Sequence, residues 1–457
     1  MNELSPSQKP PEIHRAAWVV PVSAPPLRNG AVLTHGGLVL AAGPFADVRR
    51  DSPAGARLTD HGQAALFPAL VNAHTHLELS ALRGKIPFPQ PCFREWIALL
   101  FGLRAGMGPE SANEGLRSGE AELLSCGTGL CADTTNGGAV EHESSAGRNS
   151  GGPDNRSSGR TAAAEGSGDT GCGASAACGP AAARVERRVF LELLGFNLDS
   201  VAAAMPREFV TRSREAAQEG DTTLIPVPHS VYSVSPAIIA ESKEWTRARG
   251  LPFSIHVAEH LDEIEFLQGG KGFCRELLEM VGRWDPSWTP PGKTPVEYLD
   301  CLGVLDSRTL LVHAVHMTET DWALAAKRDC TVVFCPRSNR NLGSGRPRID
   351  KALSLGITCA LGTDSLASNT DLSLFSEAAF TLDNYPSIDP QKVIEMITVN
   401  PAGSLGCKGD FGSIEPGAKA HMLAVDIQSG IDEPNLAEAI IQTGKEGAWK
   451  WVSSALS

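Results

Sequence analysis

The chain has 457 residues, 42% of them hydrophobic and 20% charged, with a formal net charge of −13. That length exceeds one ordinary domain and suits a large barrel with a smaller companion. The acidic balance, without any lysine- and arginine-rich run, argues against a nucleic-acid polymer as partner, although a nucleoside-sized ligand stays open.

Short apolar runs broken by proline and glycine occupy residues 16–66: AAWVVPV, AVLTHGGLVLAAG and AALFPAL. Gly-Gly between apolar runs permits the positive φ angles of a tight hairpin, so this region reads as a small β domain. Eight strand candidates follow: ALFPALVN (65–72), GLCADTT (129–135), VFLELLG (189–195), TLIPVPH (223–229), FSIHVAE (253–259), TLLVHAV (309–315), TVVFCP (331–336) and ITCALGTD (357–364). Their near-continuous apolar character suits parallel strands buried on both faces. Helical stretches such as DEIEFLQ, ETDWALAAKRD and DLSLFSEAAF separate some of them. The alternation predicts an α/β fold, a (β/α)8 TIM-type barrel over 66–401. Residues 1–65 and 402–457 are expected to form a small, discontinuous β-sandwich domain, with GSIEPGAKAHMLAVDIQ returning to pair with the N-terminal strands.

Residues 137–184 are almost entirely small, polar or charged. Such a segment cannot bury enough apolar surface to offset the entropy of ordering, so a disordered insertion is expected between strands two and three. Its Cys172 and Cys178 read as exposed thiols. The eleven cysteines show no zinc-ribbon spacing and fit reduced thiols in a cytoplasmic protein. No stretch of 18 apolar residues predicts a membrane span, and the polar start MNELSPSQKPPEIHR has no apolar signal core.

The strongest chemical signal is Asn72-Ala-His74-Thr-His76. Side chains at i and i+2 of a strand share a face, so two imidazoles could converge on one ion. His256 ends the fifth strand candidate and Asp364 the eighth, both at the rim where such barrels keep their active sites. Neutral imidazoles with one carboxylate suit a single zinc or iron(II) ion and leave a position open for water. A binuclear site would want a lysine on the fourth strand, and TLIPVPH has none, so one divalent metal is expected.

Glu259, three residues beyond His256, could shuttle protons between water and a ring nitrogen; zinc deaminases on another fold use a non-ligand glutamate this way. The competing reading is a solvated glutamate beside Glu263 and Glu265. His313 could hold the attacking water or the oxyanion, and His229 could contact substrate, with a packed core histidine as the rival for each. His316 is expected outside the centre. Trp96, Glu192, Arg337, Asn339 and Asn369 are candidates for substrate contact; Arg337 suits a carboxylate, with a surface arginine as the default reading.

FPALVNAHTHLELS, PHSVYSVSP, HVAEHLDE, LLVHAVH, CPRSNRNLGSG and GTDSLASNTDLSLFSEA, in that order over residues 65–380, resemble the amidohydrolase superfamily in its cytosine/nucleoside deaminase-like branch. The resemblance implies metal ligation by His74, His76, His256 and Asp364, with Glu259 as proton shuttle and His313 orienting water. NAHTHLELS followed by Phe93-Arg-Glu-Trp96-Ile, together with GTDSLASN, looks like the aminodeoxyfutalosine deaminases of menaquinone biosynthesis. S-adenosylhomocysteine and methylthioadenosine deaminases share most of these motifs. The chain departs from the pattern at Gly417-Ala-Lys-Ala-His421-Met422, where the family usually has Gly-x-x-Ala-Asp-Leu. Rival functions are a chlorohydrolase-like dehalogenation, opening of an imidazolone ring, and a non-catalytic scaffold. A homodimer is the common assembly for such a chain.

Overall fold

The computed structural model describes residues 10–137, 184–206 and 224–452. The expected insertion at 137–184, with Cys172 and Cys178, lies outside the described residues except for its two ends. Eight parallel strands make the barrel: β1 (Leu70–Thr75), β2 (Thr128–Thr135), β3 (Glu186–Leu193), β4 (Leu224–Pro228), β5 (Phe253–Val257), β6 (Thr309–His313), β7 (Thr331–Phe334) and β8 (Thr358–Leu361). They pair in order as two runs of four, β1 to β4 and β5 to β8. Single parallel bridges close the ring, Thr75 to Asp364 at one seam and Ser230 to His256 at the other.

Apolar burial on both faces explains the unbroken strand sequences. Phe253, Ile255 and Val257 of β5 pack with Ile238, Ile239, Phe266 and Leu267 of the surrounding helices. Val71, Leu130, Phe190, Ile225, Val312 and Val333, from six different strands, cluster with one another, which only a closed ring allows. Some helices start at side-chain caps: the Ser235 hydroxyl accepts from Ile238 N at the head of Pro236–Ala248, and Thr318 with Asp321 forms a capping box before Glu319–Lys327.

Chain ends and N-terminal segments build two further sheets. In the first, Leu38–Pro44, Gly30–His35, Glu12–Arg15 and Arg57–Asp60 lie side by side; in the second the order is Trp449–Trp451, Met422–Asp426, Ala64–Pro68, Trp18–Val19, Leu27–Arg28. The hairpin at Gly36-Gly37 has φ of 57° and 78°, the doubly left-handed turn that glycine adopts without cost. The returning tail pairs Leu423 with Phe67, and His421 packs edge-on against Phe411, so the departure from the family sequence leaves this strand in register.

Two expectations are corrected here. ALFPALVN is not one strand: Ala64–Pro68 belongs to the small sheet and β1 begins at Leu70, with the Ala69 N–H donating to the His421 carbonyl between them. Both halves are fully buried, so the apolar run carries no mark where it leaves one sheet for the other. Asp364 does not end β8, which stops at Leu361; it lies on the following loop.

Candidate metal centre

His74, His76, His256, His313 and Asp364 come together at the C-terminal end of the barrel, with Glu192 and Glu259 beside them. Residues 74 and 76 arrive through a local device that joins β1 to β8. The Asp364 N–H donates to the His74 carbonyl at 3.1 Å, and the His76 N–H donates to the Asp364 carbonyl at 3.1 Å. Asn72 strengthens the same seam: its Oδ1 accepts from the N–H groups of His74 and Thr363, and its Nδ2 donates to Thr363 Oγ1 at 2.7 Å. Gly362 permits the approach, because a Cβ there would lie 2.8 Å from both Cβ and O of His74.

The strands end in unusual backbone. Ala258, His313, Ala314 and Asp364 all have positive φ, between 50° and 74°, where a non-glycine residue costs about 1–3 kcal/mol. This turns the His313 and Asp364 side chains toward the same centre as the strand histidines.

Donor chemistry fits a divalent cation. Nε2 of His74 and Nε2 of His256 face each other at 3.1 Å, close to the ~3.3 Å edge of a tetrahedron of zinc–nitrogen bonds. The His256 Nδ1–H donates to the His229 carbonyl at 2.9 Å, which leaves Nε2 with its lone pair. Asp364 Oδ2 accepts from the Ser338 and Ser368 hydroxyls, and Oδ1 lies 3.8 Å from His74 Nε2 and 3.7 Å from His76 Nε2. Burial, reinforced by neighbouring imidazoles, holds His74 and His256 well below the ordinary histidine range, so both are neutral donors. For Asp364 burial works toward protonation, but His313, His76 and the two serine hydroxyls together outweigh it and keep the carboxyl ionised.

Glu259 is buried at the turn after β5, with Oε1 3.6 Å from His313 Nε2. Burial, then the charges of Asp364, Glu263 and Glu192, hold its carboxyl well above the usual carboxylate range. Glu263 is not a solvated helix residue. It is 1% exposed, and its two oxygens accept the N–H groups of Ala258 and Glu259, fixing the turn that carries Glu259. Burial pushes His313 down to about 4 and His229 down to about 3.

The expected substrate contacts divide. His229 is beside the centre, its ring 4.9 Å from that of His256 and its Nδ1 2.7 Å from Ser233 Oγ. Glu192 Oε1 lies 3.4 Å from His256 Nδ1, and Oε2 accepts from Asn136 Nδ2. Trp96 donates its indole N–H to the Ala367 carbonyl and packs on Phe93, which stacks on His260 at 4.0 Å; Tyr232 stands between His260 and His229. These rings form a chain of contacts that ends at His229 beside the centre. Arg337 is paired within the protein. Both oxygens of Asp371 accept from it at 2.8 and 2.7 Å, so its charge is matched inside the protein, and it is buried rather than at the surface. Asn339 Nδ2 donates to His313 Nδ1 at 3.1 Å, and Asn369 is spent on the Thr363 carbonyl and Glu377. His316 lies outside the centre, donating from Nε2 to the Ser344 carbonyl.

Residues 65–449 match the model of the amidohydrolase family. The chain belongs to that family. It is a hydrolase of carbon–nitrogen bonds. Among similar proteins, the 5-methylthioadenosine/S-adenosylhomocysteine deaminase of Nitratidesulfovibrio vulgaris (strain DP4) is 30% identical over 427 residues, 89% of this chain and 81% of that protein. The aminodeoxyfutalosine deaminase of Deinococcus radiodurans is 38% identical over 177 residues, 36% of this chain and 41% of that one. An adenosine deaminase from Xanthomonas campestris, solved with bound zinc, superposes with a TM-score of 0.69 at 23% identity, covering 98% of this chain and 94% of its own. No helix among the described residues is long and apolar enough to cross a membrane.

Proposed function

We propose that the chain is a metal-dependent deaminase of an amino-purine nucleoside, converting aminodeoxyfutalosine to futalosine and ammonia, a step of menaquinone biosynthesis. The observation that carries this reading is the convergence of His74, His76, His256 and Asp364 beside the buried carboxyl of Glu259. Those four residues would hold one divalent ion, zinc or iron(II), since both accept imidazole and carboxylate donors. When bound, such an ion lowers the pKa of water to about 7 and so supplies the nucleophile at neutral pH.

The remaining work falls to side chains. Glu259 takes the proton of the attacking water and delivers it to the ring nitrogen next to the amino-bearing carbon. Burial raises its affinity for that proton between the two transfers. His313 and Asp364 orient the nucleophilic oxygen and steady the tetrahedral adduct. The linked rings of Trp96, Phe93, His260, Tyr232 and His229 would give a flat heteroaromatic ring a stacking partner where they meet the centre. Glu259 then carries the hydroxyl proton of the adduct to the amino nitrogen, and collapse of the adduct expels ammonia and leaves the ring carbonyl.

The 38% local identity to an aminodeoxyfutalosine deaminase supports the substrate named first. The second reading, methylthioadenosine or S-adenosylhomocysteine, is supported by 30% identity over most of the chain. Ultraviolet-monitored deamination of aminodeoxyfutalosine, methylthioadenosine, S-adenosylhomocysteine and adenosine, run side by side on metal-analysed protein, separates them by kcat/KM. Chloride release from a chlorinated heterocycle in the absence of any ammonia release would instead favour the dehalogenase reading. A metal-free chain inert to every substrate would favour a scaffold.

A further inference from the structure

Three overlapping donor triads share the centre, and one of them uses His313. The position of each imidazole proton decides between them, because a protonated nitrogen has no lone pair for a cation. His256 carries its proton on Nδ1, so Nε2 is an open donor. His313 is set the other way round. Its Nδ1 lies 3.1 Å from the side-chain nitrogen of Asn339, and an amide nitrogen only donates. Nδ1 therefore accepts, and the proton sits on Nε2.

The orientation of the amide follows from burial. Asn339 is 0% exposed and its Oδ1 has no hydrogen-bond partner. Reversing the amide would move the NH2 group into that unpartnered position and strand its donors, a larger penalty than one unpartnered carbonyl oxygen. Asn339 follows Ser338 on the first turn of Pro336–Asn341, and Ser338 donates to Asp364 Oδ2. Two consecutive residues thus aim two different groups: a free carboxylate oxygen and an N–H.

We propose that Asn339 is a positioning residue that fixes the tautomer of His313, so that His313 meets the reacting oxygen as an Nε2–H donor and is not a metal ligand. Asn339 then serves catalysis through His313 and does not touch substrate. The catalytic half of this inference rests on the deaminase reading; the tautomer does not.

The test combines a spectrum with kinetics. In zinc-loaded, 15N-histidine-labelled wild-type protein, the signals lost in His313→Gln should show a pyrrole-type Nε2 and a pyridine-type Nδ1. Asn339→Asp replaces the donor by an acceptor and should invert that pattern. Its kcat should fall about 100-fold while the metal content per chain and KM stay near wild type, the scale seen when groups that orient a metal centre are lost. Asn339→Ala should show both tautomers and a smaller loss. A wild-type His313 protonated on Nδ1, or an Asn339→Asp enzyme with wild-type kcat, overturns the proposal. A wild-type protein that deaminates no nucleoside sinks the functional reading, and the wild-type spectrum still decides the tautomer.

Discussion

Gly362→Ala tests whether the contact between β8 and β1 holds the centre together. The added Cβ would meet His74 Cβ and O at 2.8 Å and His74 N at 3.0 Å. None of these is the tip of a flexible side chain, so the loop after β8 must retreat by about 0.6 Å to restore ordinary contact; overpacking of this kind costs about 1–3 kcal/mol. The retreat acts on the bond from Asp364 N to the His74 carbonyl, two residues away, and carries Asp364 from the histidines. Metal affinity should therefore fall about 10–100-fold, measured by competition with a chelator of known affinity, and thermal stability should fall with it. A Gly362→Ala protein with unchanged melting temperature and unchanged metal affinity would refute the claim that this seam sets the ligand geometry.

Other outcomes follow from the same geometry. Glu259→Gln should keep its metal and lose about 10²–10⁴ in kcat; near-normal turnover removes Glu259 from the mechanism. Ser338→Ala takes away a hydroxyl donor from Asp364 Oδ2 and should weaken metal binding about tenfold, read by chelator competition. Burial pushes Glu263 up to about 8, the N–H groups of Ala258 and Glu259 opposing it. The folded state therefore holds a proton that the unfolded chain releases above its ordinary pKa of about 4.5, so this group lowers stability as pH rises from about 4.5 to 8. Relative to Glu263→Gln, wild type should melt progressively lower across that range; a constant difference would reject the assignment. Replacing residues 137–184 by a short glycine-serine linker should leave a folded, active enzyme, and loss of cooperative melting would contradict the insertion reading.

The candidate ligands could be picked out because strand periodicity and position near strand ends are local properties. His74, His76 and His256 could be read from their runs, and Asp364 from Gly-Thr-Asp-Ser. The groups that hold them could not. Ser338 meets Asp364 across 26 positions and Asn72 meets Thr363 across 291, contacts that exist only once the barrel closes. Glu263 sits in DEIEFLQ, whose charge suggests a wet helix face, yet the helix begins where the turn after β5 needs a buried acceptor. Arg337 read as a surface arginine or a partner for a substrate carboxylate because Asp371, with which it pairs, lies 34 positions on, in a different loop. Tyr232 and His260 gave no signal either, since one aromatic residue in a loop reads the same whether it lines a wall or fills a gap.

The barrel is two arcs of four strands that touch through one backbone bridge on each side. His74, His76 and Asp364 straddle the first bridge, and His256 belongs to the second. An ion in their midst would act as a rivet between the arcs, tightening the whole ring by RT ln(1 + [M]/Kd), about 2.7 kcal/mol when free metal exceeds Kd a hundredfold. Stripping it should then loosen strands far from the chemistry, with amide exchange quickening along β4 and β5 as well as at the rim.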